Sequence, residues 1–360
     1  MEQKIRAGIL GATGAVGQKY IELLAGHPWF EITFLAASKE SSSYRNAVAE
    51  RGWFVSADFP ENIASLRVHN AEDAKSAKTI CDFVFSALES GSATKLEPAY
   101  AAEMPVVSNT SAYRKDPLVP VLIPEINPQH LGIIPIQKKE RGYRGGFIVV
   151  KPNCSLQSYI TPIHALMQAG YAVDRVIITT LQASSGAGVP GVPSLSLIDN
   201  VVPFIDGEEA KTENEPYKIL GKISDGEIKN YGGMKISATC TRVPVRDGHM
   251  ASVSISFNGK KPAIDEIIHV WESFGALPQE YDLPFAPKHP IIYRDEENRP
   301  QPILDRGAEK GMAVTVGRLR ECPVFDYKFI GLSHNTIRGA AGGGILNAEL
   351  LVREGYIKGD

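Results

Sequence analysis

Cys154 stands where an apolar run gives way to a helical pattern, and a cysteine in that position can act as a nucleophile. The preceding residues, 147–150, are strand-like, whereas apolar residues from Leu156 to Met167 recur at helical spacing. We expect Cys154 to lie near a helix N-terminus, where free N–H groups and the helix dipole stabilise a thiolate and lower its pKa below about 8.5. The alternative is a small buried apolar residue, the role that we assign to the other cysteines, Cys81, Cys240 and Cys322.

Three polar residues lie in or just after predicted strands in the C-terminal half of the chain. A strand at 176–181 leads into Gln182 and then into a flexible Ser-Gly turn, which can approach a ligand closely. A strand at 235–245 carries Arg242 and breaks at an Asp-Gly pair just before His249. In a continuous strand Arg242 and His249 would lie on opposite faces, but the Asp-Gly break allows them to converge. A histidine in such a place is more often structural or exposed than catalytic.

Charged residues of two further segments are candidates for binding an anionic or zwitterionic ligand. Glu208 and Lys211 are three residues apart, which puts both charges on one face of a helix. The usual alternative for such a pair is a solvated ion pair. Arg114 follows a predicted strand at 106–109 in a polar loop, where an arginine is by default a surface residue.

The length and composition of the chain limit its domain organisation and its possible partners. A chain of 360 residues is longer than one core comfortably supports, so we predict two domains. The net charge of -3, the lack of a basic tract and the lack of a long apolar run argue against nucleic acid and membrane as partners. The four cysteines show no metal-ligand spacing, and the first residues do not resemble a signal peptide, so we expect no metal and a cytoplasmic location.

The N-terminal half alternates short apolar strands with helical patterns, which predicts a parallel α/β sheet. The first strand, 5–10, runs into a glycine-rich turn and then a helix, the order that a dinucleotide site requires. Glycines in such a turn let the backbone approach a pyrophosphate, and the helix N-terminus favours its charge. The alternative is an ordinary tight turn. The residues that we expect to contact the dinucleotide here are Gly11, Thr13, Gly14, Ala15 and Val16.

The second strand, 31–37, ends without an acidic residue placed to bind a ribose 2′-hydroxyl, which favours NADP over NAD. Ser38 and Lys39 can bind a 2′-phosphate, but Glu40 would repel one if it faced inward. Ser86 ends a later strand of the same sheet, at the edge where ligands of open α/β sheets gather.

Taken together, these motifs resemble the aspartate-semialdehyde dehydrogenases, over nearly the whole chain and in the expected order. The closing segment, 333–342, resembles the archaeal and fungal branch of that family. The motifs that carry the resemblance are the glycine turn Gly11–Gly17, Pro152-Asn153-Cys154-Ser155, Gln182 before the Ser-Gly turn, Glu208 with Lys211, and Arg242 with His249.

The resemblance implies reduction of 4-phospho-L-aspartate by NADPH to L-aspartate 4-semialdehyde, a reversible step in the biosynthesis of lysine, threonine, methionine and isoleucine. Cys154 would form a thioester, His249 would act as general acid and base, and Gln182 would orient the acyl group. The substrate would be bound by Arg114, Asn153, Glu208, Lys211 and Arg242. Towards the nicotinamide, the resemblance adds Ser185, Gly186 and Asn335.

The implied fold is a Rossmann-type doubly wound parallel sheet, residues 1–153, completed by a C-terminal helix at 334–360. Residues 154–333 would form an α+β catalytic and dimerisation domain with a mixed, largely antiparallel sheet, in a homodimer or homotetramer. Two alternatives remain open: an acyl-CoA reductase of the malonyl-CoA reductase type, and a non-catalytic dinucleotide-binding sensor. The pair Glu208-Glu209 favours a substrate with an amino group over malonyl-CoA.

Overall fold

The computed structural model describes residues 4–359, and its N-terminal part is built on a six-stranded sheet. The strand order is β3-β2-β1-β4-β5-β6, and every neighbouring pair is parallel. The strands are β1 (Ile5–Leu10), β2 (Phe30–Ala37), β3 (Val68–Asn70), β4 (Phe83–Ser86), β5 (Val106–Ser108) and β6 (Ile148–Val150). The helices of this part are α1 (Ala15–Leu24), α2 (Tyr44–Arg51), α3 (Ala74–Ile80), α4 (Ser90–Glu103) and α5 (Ile134–Arg141).

A second six-stranded sheet follows, in the order β10-β7-β11-β14-β13-β12. Its outer pairs, β10 with β7 and β12 with β13, are parallel, and the three inner pairs are antiparallel. These strands are β7 (Val173–Gln182), β10 (Lys235–Arg242), β11 (His249–Phe257), β12 (Ile291–Arg294), β13 (Val314–Glu321) and β14 (Tyr327–Ser333), with β8 (Lys222–Ser224) and β9 (Glu227–Lys229) as a separate hairpin. The predicted fold class is therefore confirmed.

Helices cover this mixed sheet and connect its strands. They are α6 (Ile160–Gln168), α7 (Ser194–Leu197), α8 (Glu208–Ile219), α9 (Ile264–Glu272), α10 (Leu277–Glu280) and α11 (Pro302–Asp305). Along β7 buried and more exposed positions alternate, as expected for a strand with one face on the core. In contrast, β1 is buried along almost its whole length because helices cover both faces of the parallel sheet.

The last helix, α12 (Gly342–Arg353), packs on the N-terminal sheet although it follows the second sheet in the chain. Leu346 and Leu350 belong to the same apolar cluster as Phe30. Glu349 contacts His27 at 2.8 Å, with both side chains fully buried. The end of the chain thus returns to the N-terminal sheet.

The helix predicted directly after Cys154 begins later than the spacing suggested. Cys154 precedes a single 3-10 turn, Ser155–Ser158, and α6 starts only at Ile160. Pro162 explains the break, because it has no N–H to donate to the carbonyl of Ser158, so the α-helical ladder cannot extend back to Cys154. Cys154 thus lies at the N-terminus of a short 3-10 turn, and the α-helix that was expected to begin beside it starts six residues later.

Between residues 4 and 359, no helix combines the length and apolar character needed to cross a membrane.

Candidate active site

A cleft of about 840 Å³ lies where the carboxyl ends of the parallel strands meet the second sheet. The start of α1, the loops after β4 and β5, and the segments 185–189 and 334–340 all contribute to its walls. Cys154 lines the cleft together with Arg114, Glu208 and Lys211. These four residues, all predicted from the sequence, line the same cleft although they are separated by up to about a hundred positions in the chain.

Cys154 is held from two sides. Its Sγ lies 3.4 Å from Nε2 of His249, the first residue of β11. Behind it, Gly339 comes so close that a Cβ on this glycine would lie 2.8 Å from the Cβ of Cys154. The sulfur is therefore presented to the cleft and to one imidazole nitrogen.

The other nitrogen of His249, Nδ1, accepts a hydrogen bond from the backbone N–H of Ala183 at 3.0 Å. A backbone amide can only donate, so Nδ1 carries no proton, and the neutral imidazole has its proton on Nε2, facing the sulfur. Burial, followed by the charge of Arg242 and by smaller effects of His334 and Lys151, lowers the pKa of His249 to about 3. His249, which the resemblance implies as general acid and base, is therefore a neutral hydrogen-bond donor in this structure.

The environment of Cys154 also differs from the expectation of a lowered pKa. Burial raises the pKa of the Cys154 thiol, and the carboxylate of Glu208 raises it further. Three cations oppose this effect, in decreasing order Lys151, Arg114 and Arg242. Stabilisation of a thiolate here depends on these side chains, because the α-helix that was expected to supply it begins too late.

Glu208, the first residue of α8, connects several predicted substrate ligands. Its carboxylate accepts hydrogen bonds from Asn153 Nδ2 at 3.0 Å and from Lys211 Nζ at 2.8 Å. Gln182 Nε2 donates to the same group at 3.3 Å. Glu208 is buried, so its pair with Lys211 is more than the solvated ion pair that is usual at this spacing.

The side chains of Arg242 and His249 lie close together, as the predicted break in the strand at Asp247-Gly248 allows. Arg242 ends β10 and donates from Nη1 to the carbonyl of Ala183 at 2.8 Å, next to the amide that binds His249. Gly186 lies over both side chains, and a Cβ there would lie 2.7 Å from Arg242 Nη1 and 2.9 Å from His249 Cε1. Glycine is therefore the residue that leaves room for both groups.

Arg114 is buried and held by three contacts rather than lying free on the surface. It donates to the carbonyl oxygens of Lys151 at 2.9 Å and Asn109 at 3.1 Å, and it pairs with Glu215 at 3.0 Å. Glu215 also accepts a hydrogen bond from the backbone N–H of Asn153 at 2.7 Å. This carboxylate of α8 thus positions both the guanidinium and the loop that carries Cys154.

Ser185 and Asn335 meet across the cleft. Asn335 donates from Nδ2 to Ser185 Oγ at 2.8 Å, and its Oδ1 accepts the backbone N–H of Gly248 at 2.8 Å. Both residues line the cleft. The amide of Asn335 therefore links the Ser-Gly turn to the end of β14.

The glycine turn after β1 has the close packing that the sequence predicts. Gly11 adopts a φ of +77°, and a Cβ there would lie 2.5 Å from the carbonyl oxygen of Ala87. Of the residues expected to contact a dinucleotide in this turn, Ala15 and Val16 line the large cleft, whereas Thr13 lines a smaller pocket next to the end of β2.

That smaller pocket contains Ser38 and Lys39 and also Arg51, which the sequence reading did not include. Lys39 pairs with Glu50 at 2.6 Å in an exposed position. Glu40 pairs with Arg67 at 3.0 Å, so its charge is partly neutralised.

Ser86 departs from its expected place, because it is fully buried and does not line either pocket. Ala87 and Leu88, the next two residues, line the cleft instead. Within the described part of the chain, no cluster of three His, Cys, Asp or Glu side chains can hold a metal ion.

Three residues that contribute to this site were missed: Lys151, Glu215 and Gly339. Lys151 had a signal in the sequence, since it stands three positions before the candidate nucleophile. Gly339 lies in the closing segment 333–342, although the contact with Cys154 joins segments far apart in the chain. Glu215 had no such signal.

Comparison with known proteins agrees with the geometry. Residues 6–134 match the NAD binding domain of semialdehyde dehydrogenases, and residues 163–338 match the dimerisation domain of the same family. The chain is 47% identical to the aspartate-semialdehyde dehydrogenase of Archaeoglobus fulgidus, over 97% of this chain and 98% of that protein. It is 44% identical to the enzyme of the same name from Cryptococcus neoformans, over 99% of both chains.

Among solved structures, the aspartate-semialdehyde dehydrogenase of Candida albicans, crystallised with NADP, is similar throughout. Its TM-score is 0.90 and its identity 37%, over 99% of this chain and 100% of that one. The resemblance therefore extends over both domains and over the fold that joins them. On this evidence the chain belongs to the aspartate-semialdehyde dehydrogenase family.

Proposed function

We propose that this enzyme reduces 4-phospho-L-aspartate with NADPH to L-aspartate 4-semialdehyde and phosphate, reversibly, through a thioester on Cys154. The observation that carries the proposal is the Sγ to Nε2 contact of 3.4 Å between Cys154 and His249, at the wall of a cleft that also holds Glu208, Lys211 and Arg114. This reaction belongs to the biosynthesis of lysine, threonine, methionine and isoleucine.

In the first half of the reaction, the thiolate of Cys154 adds to the acyl carbon of the substrate. The bond from that carbon to the phosphate oxygen breaks, phosphate leaves, and a thioester remains. Gln182, which is buried and bonded to Glu208, orients the acyl group through its amide.

In the second half, the thioester carbonyl is reduced and the resulting oxyanion collapses. The carbon–sulfur bond breaks, so the aldehyde and the thiolate are released without a net proton transfer to the sulfur. His249 Nε2–H points to this region and donates a hydrogen bond to the oxyanion, which stabilises charge as it develops. His249 thus acts first as a fixed donor, and the general acid and base role is limited by its bond to Ala183.

The charged groups that line the cleft, together with Arg242 beside it, match the substrate. Arg242 suits the α-carboxylate through its planar fork, and Glu208 with Asn153 suits the amino group. Arg114 and Lys211 suit the phosphate. Both of these cations line the cleft with Cys154, which supports the assignment.

The cofactor is NADP, and the residues present fit it. Gly11 lies in a tight turn that packs closely against the sheet. The helix α1 begins just after this turn, and its residues Ala15 and Val16 line the cleft where a dinucleotide would bind. When bound, the cofactor supplies the hydride. Ser38 and Lys39 would hold the 2′-phosphate, while Ser185, Gly186 and Asn335 would border the nicotinamide.

We further propose that residues 1–153 with 334–360 form the dinucleotide-binding domain and that 154–333 form the catalytic domain of a homodimer or homotetramer. The match of 163–338 to a dimerisation domain supports an oligomer. Apolar side chains that are exposed in a single chain, such as Leu195 at 90% and Phe204 at 63%, support it too.

The direct test measures reduction of NADP by aspartate semialdehyde, with and without phosphate, in the intact enzyme and in Cys154→Ala. We expect turnover that requires phosphate and is lost in the variant. Full activity in Cys154→Ala would refute the nucleophile. No turnover in the intact enzyme, together with reduction of malonyl-CoA by NADPH, would favour the acyl-CoA reductase, and NADPH binding without any turnover would favour a sensor.

A further inference from the structure

Side chains of α8 cover the free edge of β10. This strand is the outermost one of the second sheet, so every second backbone N–H along it points away from its neighbour β7. Three side chains of α8, spaced four residues apart, accept these outward N–H groups: Glu209 from Cys240 at 3.1 Å, Glu213 from Ala238 at 2.9 Å and Tyr217 from Ile236 at 3.1 Å. We call these three hydrogen bonds the edge bonds. The N–H of Arg242 continues the series and donates to the carbonyl of Val202 at 2.8 Å.

The edge bonds follow from the repeats of a helix and a strand. Four residues of an α-helix rise about 6.0 Å, and two residues of a strand extend about 6.6 Å. A helix that runs antiparallel along a strand can therefore place every fourth side chain opposite every second N–H. Glu209, Glu213 and Tyr217 meet this condition over about two helical turns. The edge bonds thus hold α8 in one register along β10.

The opposite side of α8 faces the catalytic cleft. Glu208 and Lys211 line the cleft, and Glu215 pairs with Arg114, which lines it too. With about 3.6 residues per turn, these side chains lie about half a turn away from those of the edge bonds. Glu209, the second member of the acidic pair noted in the sequence, therefore binds β10 and does not line the cleft. A shift of α8 along β10 would move Glu208 relative to the cleft.

The other partner of this contact, β10, carries Arg242. Arg242 is the last residue of the strand, two positions after Cys240. Glu208 directly precedes Glu209, so the edge bond nearest the cleft adjoins both Glu208 and Arg242. Arg242 is the strand partner of Gln182, and Gln182 donates to Glu208 at 3.3 Å. The spacing between Glu208 and Arg242 is therefore determined by the position of α8 on β10.

An α-amino acid carries its ammonium and its carboxylate on one carbon, so the two groups that bind them must keep a fixed spacing. We propose that the edge bonds set the spacing between Glu208 and Arg242 and thereby make the site selective for an α-amino acid substrate. Glu209, Glu213 and Tyr217 are positioning residues, which act through α8 without touching the substrate. This inference rests on the proposed function, in which Glu208 binds the ammonium group and Arg242 the α-carboxylate.

Hydrogen exchange tests the edge bonds without substrate or cofactor. Deuterium uptake of the peptide that contains residues 235–242 is followed by mass spectrometry in the whole enzyme and in its variants. Glu213→Ala and Tyr217→Phe each remove one acceptor, whereas Glu213→Gln keeps an oxygen for the N–H of Ala238. Asn214→Ala is the matched control, because Asn214 is exposed on the same helix and bonds only within it. We expect about one additional fast-exchanging amide for each acceptor removed, and none in Glu213→Gln or Asn214→Ala.

The KM for aspartate semialdehyde tests the consequence for the substrate site, at saturating NADP and phosphate. We expect it to rise about tenfold in the double variant Glu213→Ala/Tyr217→Phe, as partial loss of a charged hydrogen bond predicts, and less than about twofold in Glu213→Gln and Asn214→Ala. The KM for NADP should not change. A purely structural role would lower kcat through loss of folded enzyme and would leave both KM values unchanged. If circular dichroism shows that the double variant does not fold, Tyr217→Phe alone should raise the KM for aspartate semialdehyde about threefold.

Glu208→Gln shows whether the effect passes through the ammonium site. When the charge of Glu208 has already been removed, adding Glu213→Ala/Tyr217→Phe should raise the KM for aspartate semialdehyde no further, since residues that act through one contact are not additive.

An unchanged KM for aspartate semialdehyde in a folded variant that has lost edge bonds by exchange would overturn the inference. Full additivity with Glu208→Gln would do the same, as would equal deuterium uptake of the 235–242 peptide in Glu213→Ala and in the intact enzyme. These results presuppose an intact enzyme that turns over aspartate semialdehyde. No turnover by the intact enzyme would refute the proposed function and this inference with it, so the two failures are distinguishable.

Discussion

The backbone N–H of Ala183 donates a hydrogen bond to Nδ1 of His249 at 3.0 Å, and this contact determines what the histidine can do. It leaves Nε2 as the protonated nitrogen, 3.4 Å from the sulfur of Cys154. The same peptide segment offers its carbonyl to Arg242 at 2.8 Å. One residue at the end of β7 thus fixes the tautomer of the imidazole and the position of the guanidinium.

If His249 acts as a fixed donor, an amide can replace it in part. We expect His249→Ala to lower kcat by about 10²- to 10³-fold, the usual cost of losing one oxyanion donor. His249→Gln can place an N–H near the position of Nε2 and should retain more activity, about tenfold above the alanine variant. Steady-state kinetics of both variants provide the measurement. Equal loss in the two would show that proton transfer by the imidazole is required.

Buried histidines make the enzyme sensitive to acid. Burial lowers the pKa of His164 and of His334 to about 4, and that of His249 to about 3. Below pH 6.5 these histidines bind protons in the unfolded chain but stay neutral in the folded protein. The free energy of unfolding therefore keeps its full value above pH 6.5 and falls as the pH approaches 4. Each histidine accounts for up to roughly 3 kcal/mol at pH 4.

Thermal unfolding between pH 7 and pH 4 measures this loss. His164, which does not line the cleft, provides the matched variant: His164→Gln should flatten the dependence without changing turnover. A melting temperature that is constant from pH 7 to pH 4 would contradict the assignment of these histidines as neutral.

Gly186 should tolerate no side chain. A Cβ at this position would displace Arg242 or His249, both of which lie within 3.0 Å of it. We expect Gly186→Ala to fold normally and to lose about 10²-fold in kcat/KM, the usual result of misplacing catalytic groups by about 1 Å. Gly91→Ala, in a helix with open space around it, is the control and should keep full activity. Normal kinetics in Gly186→Ala would mean that the turn moves freely.

The sequence predicted the parallel sheet well because its strands are apolar and short, and β1 was placed at its observed ends, Ile5–Leu10. It also identified Cys154, because a local change of pattern surrounds it. The α-helix after Cys154 begins later than the apolar spacing indicates, because Pro162 interrupts the hydrogen-bond ladder that the spacing alone does not reveal. The pKa of His249 could not be predicted, because it depends on burial and on cations brought from other segments.

Glu208 has opposite effects on substrate binding and on the ionisation of the nucleophile Cys154. Its charge would bind the substrate ammonium, yet the same charge raises the pKa of Cys154. Glu208→Gln should therefore raise the KM for aspartate semialdehyde by about 10- to 100-fold, the cost of a charged hydrogen bond. Iodoacetamide should label Cys154 faster in this variant at pH 7, because the pH midpoint of labelling shifts downward. Slower labelling in a folded variant would mean that Glu208 acts on the sulfur mainly through packing.

Preference for NADP should depend on Lys39 much more than on Glu40. Lys39 borders the small pocket at the end of β2, whereas the carboxylate of Glu40 is paired with Arg67. We expect Lys39→Ala to reduce the ratio of kcat/KM for NADPH over NADH by about tenfold, as loss of one charge-assisted contact to phosphate predicts. Glu40→Ala serves as the matched variant and should change that ratio by less than about threefold. A larger effect of Glu40→Ala than of Lys39→Ala would place the acidic side chain at the 2′-phosphate, and Arg51, on the same pocket, would then be the cation to test next.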